Sequence, residues 1–306
     1  MKPPFRSGFV AILGRPNVGK STLVNRLVGH KVSIVTSKPQ TTRTRVLGIV
    51  NRPDAQMVLI DTPGVHKDGS ALGRQMSSEI AQALDGIDLL AVIIDAPRRM
   101  TAADRLVIER ATQFSGPKIL LLNKIDRMAK TALLPLLDAC SKEAGFVEMI
   151  PISALSGDGV DVVLERLLSY LPEGEAHFPQ DQYTDQPERF LAAEIVREKV
   201  MTATRQEVPH AVAVHVESFE DKKDLIRIVA DVQVERESQK GIVIGRGGAQ
   251  LKEIGTNARK ELEVFFGAKV YLELRVSVEP DWREDPQRVR QVDWRRDLEE
   301  MSGWNE

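Results

Sequence analysis

Eight residues constrain this chain more than any others: Gly14-Arg15-Pro16-Asn17-Val18-Gly19-Lys20-Ser21. They fit Gly-x-x-x-x-Gly-Lys-Ser/Thr, the spacing of a phosphate-binding P-loop. The motif needs a strand before it and a helix after it. The apolar run 9–13 supplies the first, and residues 22–28 read as the opening turns of the second. In that setting successive backbone N–H groups curl around an anion, and the helix N-terminus adds its positive end. Gly14 and Gly19 let the backbone approach phosphate oxygens with no Cβ between. Lys20 is expected to reach the outer phosphates and Ser21 to place its hydroxyl on Mg²⁺. Arg15, Pro16, Asn17, Val18 and Thr22 complete the expected cradle.

A length of 306 residues favours two domains. The formal net charge is -2, which argues against a generally basic, nucleic-acid-coating protein, and any such contact must come from a local patch. The one cysteine, Cys140, allows no intrachain disulfide and suits a reducing cytoplasm. It sits in the apolar, helix-like run 133–140 and is expected as a small core residue rather than a nucleophile. No apolar run reaches the roughly 18–20 residues of a membrane span. The N-terminus lacks a signal-peptide core. A soluble cytoplasmic protein is expected, with peripheral association at the inner membrane left open.

The first half alternates short apolar runs with amphipathic ones. Strands are expected at 9–13, 45–50, 57–60, 89–94, 119–122 and 147–150, and helices at 20–28, 70–84, 101–115, 131–144 and 159–170. This is the α/β pattern of a six-stranded, mostly parallel sheet covered on both faces. Only Asn51-Arg52-Pro53-Asp54 separates the second and third strands, so they should form a hairpin with one antiparallel edge.

Asp61-Thr62-Pro63-Gly64 follows the third strand. A carboxylate at the end of a buried strand beside a P-loop can hold Mg²⁺, directly or through water. Gly64 can turn its N–H toward a γ-phosphate. Asn123-Lys124-Ile125-Asp126 follows the fifth strand. Asp126 can accept two hydrogen bonds from the N1–H and N2–H₂ edge of guanine, a donor pair that adenine lacks. Hydrogen bonds to a charged group contribute about 1.5–3 kcal/mol each, enough for roughly hundredfold discrimination. Lys124 is expected to lay its stem over the base plane, and Ser153-Ala154-Leu155 to offer a backbone N–H to the guanine O6. In this order the four segments resemble the G1, G3, G4 and G5 boxes of the translation-factor-like GTPases.

The resemblance places switch I in Thr36-Ser37-Lys38-Pro39-Gln40-Thr41-Thr42-Arg43-Thr44, whose composition reads as a loop. It makes Thr42 the γ-phosphate and Mg²⁺ ligand, with Thr41 as the rival. Ras-type enzymes carry a water-orienting glutamine after the G3 glycine. Here that position is Val65, which cannot orient water, as in the TrmE, Era and EngA group. Slow intrinsic hydrolysis is expected. Asn17 matches the residue that holds a K⁺ in some of those relatives, where the ion supplies charge to the transition state. His66 is read as a solvated loop histidine.

Residues 173–188, punctuated by Gly174, Pro179 and Pro187, read as a linker, with Phe178 and Tyr183 as anchors to a domain surface. A helix is expected from 187 to about 201, then strands at 210–217 and 225–234 around the turn 220–224. His210 and His215 fall on opposite faces of the first and form no metal pair. Gly245-Arg246-Gly247-Gly248 follows Ile242-Val243-Ile244 and precedes Leu251, Ile254, Ala258, Leu262 and Phe265 at helical spacing. A strand at 270–278 closes the pattern. Helix, two strands, two helices around a Gly-x-x-Gly loop and a last strand resemble a type II KH domain, whose loop clamps about four single-stranded nucleotides. Arg246 adds charge at the tip, and Lys252 and Arg259 could extend the track.

The expected division is therefore 1–172 for nucleotide binding, 173–188 for the linker, 189–285 for the KH domain and 286–306 for a charged tail anchored by Trp282 and Trp294. Together these parts resemble the Era family of ribosome-assembly GTPases. The resemblance implies GTP and GDP as ligands, Mg²⁺ as cofactor, and binding near the 3′ end of 16S rRNA on the small ribosomal subunit, with GTP setting the affinity. The residues alone point to an unpaired RNA or DNA strand; with the resemblance, no DNA is expected. A GTPase assisting RNA modification lacks its cysteine pair here. A membrane-recruited signalling GTPase lacks a basic amphipathic helix.

Overall fold

The computed structural model describes residues 4–66, 68–96, 100–141, 145–222, 224–290 and 295. The chain forms two compact units, one of residues 1–35, 42–68 and 76–185, the other of 36–41, 69–75 and 186–306.

The first unit is built on β1 (Arg6–Leu13), β2 (Val46–Arg52), β3 (Ala55–Asp61), β4 (Leu89–Asp95), β5 (Lys118–Asn123) and β6 (Glu148–Ile152). They form one sheet in the order β2-β3-β1-β4-β5-β6. Only β2 runs antiparallel, joined to β3 through Pro53 and Asp54. The central strands β3 and β4 are buried at every residue, as a sheet covered on both faces demands. On one face α1 (Lys20–Val28) and α5 (Val160–Tyr170) bury Leu23, Val24, Leu27, Val163 and Leu167 against Val10, Ile12 and Leu121. On the other α2 (Ala71–Ala83), α3 (Ala102–Thr112) and α4 (Leu133–Ser141) cover Ala11, Leu13, Val92 and Leu120. Cys140 is buried in this second layer. Residues 142–144, expected to end α4, lie outside the described residues. This arrangement brings the carboxyl ends of β1, β3, β4, β5 and β6 to one rim, where ligands bind in parallel sheets.

The segment read as a linker does more than span a gap. Gln56 is fully buried and holds it from both amide atoms: Oε1 accepts from the N–H groups of His177 and Phe178, and Nε2 donates to Phe178 O. Ile49 N donates to Tyr183 O, and Thr184 Oγ1 donates to Leu47 O. The strap satisfies backbone groups on the open edge of β2, which would otherwise invite another strand. Of the two aromatics expected to anchor it, Tyr183 stacks on His30 with ring centroids 4.6 Å apart.

The second unit holds α6 (Glu188–Ala203), α7 (Val208–Ala211), β7 (Ala213–Lys222), β8 (Leu225–Val234), α8 (Glu237–Ile244), α9 (Ala249–Phe266), β9 (Lys269–Val278) and α10 (Pro286–Arg290). Its sheet has the order β7-β8-β9, antiparallel then parallel. Helices α6, α8 and α9 bury Val196, Val200, Val243, Ile254 and Ala258 against Val232 and Val234. Two expectations for the first strand of this unit need correction. It runs on to Lys222, so Glu220, Asp221 and Lys222 pair with β8 and are not turn residues. Residues 208–211 form a helical turn with Pro209 in its first turn, and the strand begins only at Ala213. Alternation among Val212, Val214 and Val216 hid this, because Val212 is buried from a connecting position. His210 is therefore helical. Among the described residues no group of three or more His, Cys, Asp or Glu could hold a metal ion. Trp282 is buried and donates from Nε1 to Ala211 O at 2.8 Å. Trp294 falls on residues not described, as does Lys223.

Candidate nucleotide and nucleic-acid sites

The loop 14–19 leaves the end of β1 and enters α1 through two left-handed positions, Asn17 at φ 59° and Gly19 at φ 107°. Gly19 is required twice over. Its φ disfavours any side chain, and a Cβ there would run into Asn123 Nδ2. Val18 drops into the core and pins the loop from below. Lys20 is buried, and its Nζ donates back to the carbonyls of Gly14 and Arg15 at 3.2 and 3.1 Å. Burial lowers its pKa to about 8; the Asp61 carboxylate opposes that shift and the Arg15 guanidinium adds to it. An ammonium held this way is poised for a polyanion.

Three oxygens converge in front of Lys20. Ser21 Oγ donates to Asp61 Oδ2 at 2.6 Å and lies 3.0 Å from Thr42 Oγ1, which is itself 3.5 Å from Asp61 Oδ2. The other Asp61 oxygen, Oδ1, is buried with no hydrogen-bond partner. Burial raises the Asp61 pKa, against the pull of Lys20 and of the Ser21, Ser33 and Thr42 hydroxyls. Two hydroxyls and a carboxylate with an orphaned oxygen form a hard-oxygen set, the donor chemistry that Mg²⁺ takes alongside phosphate and water. Thr41 is placed differently. Its hydroxyl donates to Lys38 O at 2.7 Å and sits 2.8 Å from Thr36 Oγ1.

Gly64 lies against the P-loop, and a Cβ there would come within 2.6 Å of Pro16. Thr62 Oγ1 donates to Ile12 O at 2.7 Å, Pro63 is buried, and Val65 N donates to Gly14 O at 3.0 Å. The Val65 side chain turns into the core beneath the second layer of helices. His66 Nδ1 lies 2.8 Å from Gly64 O.

At the base end Asn123 is buried and acts as a tie. Its Nδ2 donates to Val18 O at 2.7 Å, and its Oδ1 accepts from Ala154 N at 2.9 Å. Lys124 has a left-handed backbone, and its Nζ donates to Asn17 O at 2.8 Å, which draws its stem across the rim. Asp126 is exposed, and its carboxylate has no partner among the described residues. Ser153 N donates to Asp158 O, so neither the Ser153 nor the Ala154 N–H is a spare donor; Ala154 N can serve a base oxygen only as a shared one. Arg15, expected in the cradle, instead turns its guanidinium away to Asp95 and Asp104, each at 2.9 Å. Thr22 is half-buried in the first turn of α1.

Sequence reasoning missed Asp95, Asp104 and Arg26. Arg26 reaches from α1 to the carbonyls of Ala154 and Leu155 at 2.8 and 2.5 Å. Asp95 carried a signal, because it ends a fully buried strand just as Asp61 does.

In the second unit the glycine loop joins α8 to α9. Gly245 (φ 72°) could not accept a Cβ, which would meet that of Gln250 at 2.6 Å. Gly247 and Gly248 are also left-handed, with open space around them. Arg246 is exposed at the tip, and Lys252 is exposed on α9; neither has a partner among the described residues. Arg259 is engaged by Glu263 at 2.9 Å, one turn further along α9.

Residues 9–124 match the family of 50S ribosome-binding GTPases, and residues 207–283 match the KH domain. GTPase Era of Syntrophus aciditrophicus (strain SB) is 47% identical over 289 residues, 94% of each chain. A crystal structure of Era in complex with MgGDPNP and nucleotides 1506–1542 of 16S ribosomal RNA is 43% identical. The match covers 95% of this chain and 99% of that one, with a TM-score of 0.92. A point variant of Aquifex aeolicus Era, bound to GDP·AlF4⁻, gives the same identity and coverage with a TM-score of 0.90. With both ends of the molecule matched in order and along nearly their whole length, the chain belongs to the Era family of GTPases.

Proposed function

We propose that this protein is a Mg²⁺-dependent GTP switch that grips the unpaired 3′ end of 16S rRNA and acts in assembly of the small ribosomal subunit. One observation carries the reading: the oxygens of Ser21, Thr42 and Asp61 meet in front of Lys20, in a chain whose other unit presents an open glycine loop. A relative that matches nearly end to end was solved with MgGDPNP and nucleotides 1506–1542 of 16S ribosomal RNA. Ser21 and Thr42 would ligate Mg²⁺, and Asp61 would hold its water through the free Oδ1. Lys20 and the loop N–H groups would neutralise the outer phosphates, and Gly64 would meet the γ-phosphate. Asp126 would read guanine. Hydrolysis removes the group that orders Thr42 and the Gly64 loop, and so releases them.

Val65 is committed to the core, so water must be oriented by something else. A K⁺ held by Asn17 would supply the missing charge, and turnover should then be faster in K⁺ than in Na⁺; equal rates would remove the ion from the scheme. On the RNA side, Gly245, Gly247 and Gly248 would let the phosphodiester lie close while Arg246 and Lys252 supply charge. Arg259 would join only by leaving Glu263. No described helix is long and apolar enough to cross a membrane. The proposed location is the cytoplasm, with peripheral association at the inner membrane left open. Crosslinking in cell extract followed by sequencing of the bound RNA tests the whole: 16S rRNA 3′ ends should be enriched, and recovery of no rRNA would refute it.

A further inference from the structure

Asp95 ends β4 near the middle of the sheet, with its side chain only 3% exposed, and neither the phosphate chemistry nor the reading of the base edge employs it. Its Oδ2 accepts from Arg15 Nη2 at 2.9 Å and from Lys124 Nζ at 3.2 Å. Arg15 belongs to the P-loop and Lys124 to the base loop, so a single carboxylate oxygen joins the two. Around it the ties are closed. Arg15 Nε donates to Asp104 Oδ1 at 2.9 Å. The other Asp104 oxygen accepts from Thr101 N and Oγ1 at 2.9 and 2.6 Å, which caps α3. Lys124 Nζ donates a further hydrogen bond to Asn17 O.

We propose that Asp95 is a positioning residue for the bound nucleotide: it fixes Lys124 across the base plane and the P-loop beneath the phosphates together, and so sets how slowly the nucleotide leaves. This rests on the GTP-site reading. A lysine stem is flexible, and fixing it costs conformational entropy unless its ammonium is held. Here the holder is a buried carboxylate on one side and a neutral carbonyl on the other. Without the Asp95 charge, Lys124 keeps only the carbonyl, while Arg15 keeps Asp104. Breaking a buried ion pair from one side is costly, because the remaining charge stays desolvated. Packing over a base plane is blind to the groups on the base edge, which fall to Asp126. Asp95 therefore governs retention and leaves the choice of guanine alone.

The test is release of a fluorescent GDP from the full chain by stopped flow. Asp95→Asn keeps the shape and removes the charge; it should release GDP about tenfold to a hundredfold faster. The KM for GTP should rise by more than kcat falls, and the preference for GTP over ITP should stay at its parent value. In a double-mutant cycle, Asp95→Asn should speed release less in the Lys124→Met background than in the parent, because only the Arg15 arm is left for it to loosen. An unchanged release rate, an additive cycle, or a lost GTP preference would each overturn the proposal. Should Asp95→Asn fail to fold, Lys124→Met against Lys124→Met/Arg15→Ala carries the test: fast release in the first and little more in the second supports it, and parent-like release in the first refutes it. Failure of the underlying reading looks different: the parent protein itself would hold ATP as firmly as GTP.

Discussion

Single side chains decide the chemistry on this rim, and two of them give sharp expectations. Lys20 has a pKa of about 8 when no phosphate is present, because burial outweighs its attraction to Asp61. An anion favours the protonated amine. Metal-free GDP affinity should therefore be nearly flat between about pH 7 and 8 and fall by up to about tenfold per unit above that, measured by calorimetry in EDTA. Lys20→Gln should bind weakly at every pH. The stability of the empty protein runs the other way. Between pH 8 and the unfolded value of 10.5 the unfolded chain holds more proton, so this group makes folding more favourable as pH rises through that window. Asp126 gives the second expectation. Its unpartnered carboxylate suits two donors, whereas an amide offers one donor and one acceptor. Asp126→Asn should thus lose GTP affinity by roughly a hundredfold and gain affinity for xanthosine triphosphate, whose C2 carries an oxygen. Unchanged preference in a competition assay would remove Asp126 from the site.

At the level of elements, two loops depend on glycine for different reasons. Gly64 is needed for closeness, because any Cβ would press on Pro16. Gly64→Ala should keep GDP binding within a few-fold and slow GTP cleavage at least tenfold, read by single-turnover assay. Gly245 is needed for both its φ and its closeness to Gln250. Arg246, at the tip, contributes charge: Arg246→Gln should weaken every RNA sequence alike and reduce the slope of log K against log salt by about 0.7. An unchanged slope would mean that this side chain meets no phosphate. Much of this was legible in the residues. The P-loop, Asp61 and Gly64 announce themselves by strand-loop order, and period-two or helical spacing found β8 and α9. What was not legible depended on three-dimensional neighbours. The Arg15 guanidinium is held by Asp95 and Asp104, residues 80 and 89 positions away. The turn at 208–211 was hidden because a buried Val212 completes an apparent strand alternation. The strap at 173–185 read as a linker because its partners are the buried Gln56 and an open sheet edge, neither of which has a local signature.

Across the whole molecule, family membership and physical reading converge on a guanine-nucleotide site and a loop for an unpaired strand within one chain. Neither requires the -2 net charge to favour RNA, since a contact made through the glycine loop would need only a few local cations. The Era structure solved with MgGDPNP and 16S rRNA has the same two parts in the same order. The most direct test is titration of a labelled single-stranded RNA carrying the 3′ end of 16S rRNA, with Mg²⁺ and a non-hydrolysable GTP analogue present. The parent protein should bind it tightly, and Gly245→Asp combined with Arg246→Asp should weaken binding by at least a hundredfold with the GTP site intact. Equal binding by parent and variant would contradict the account.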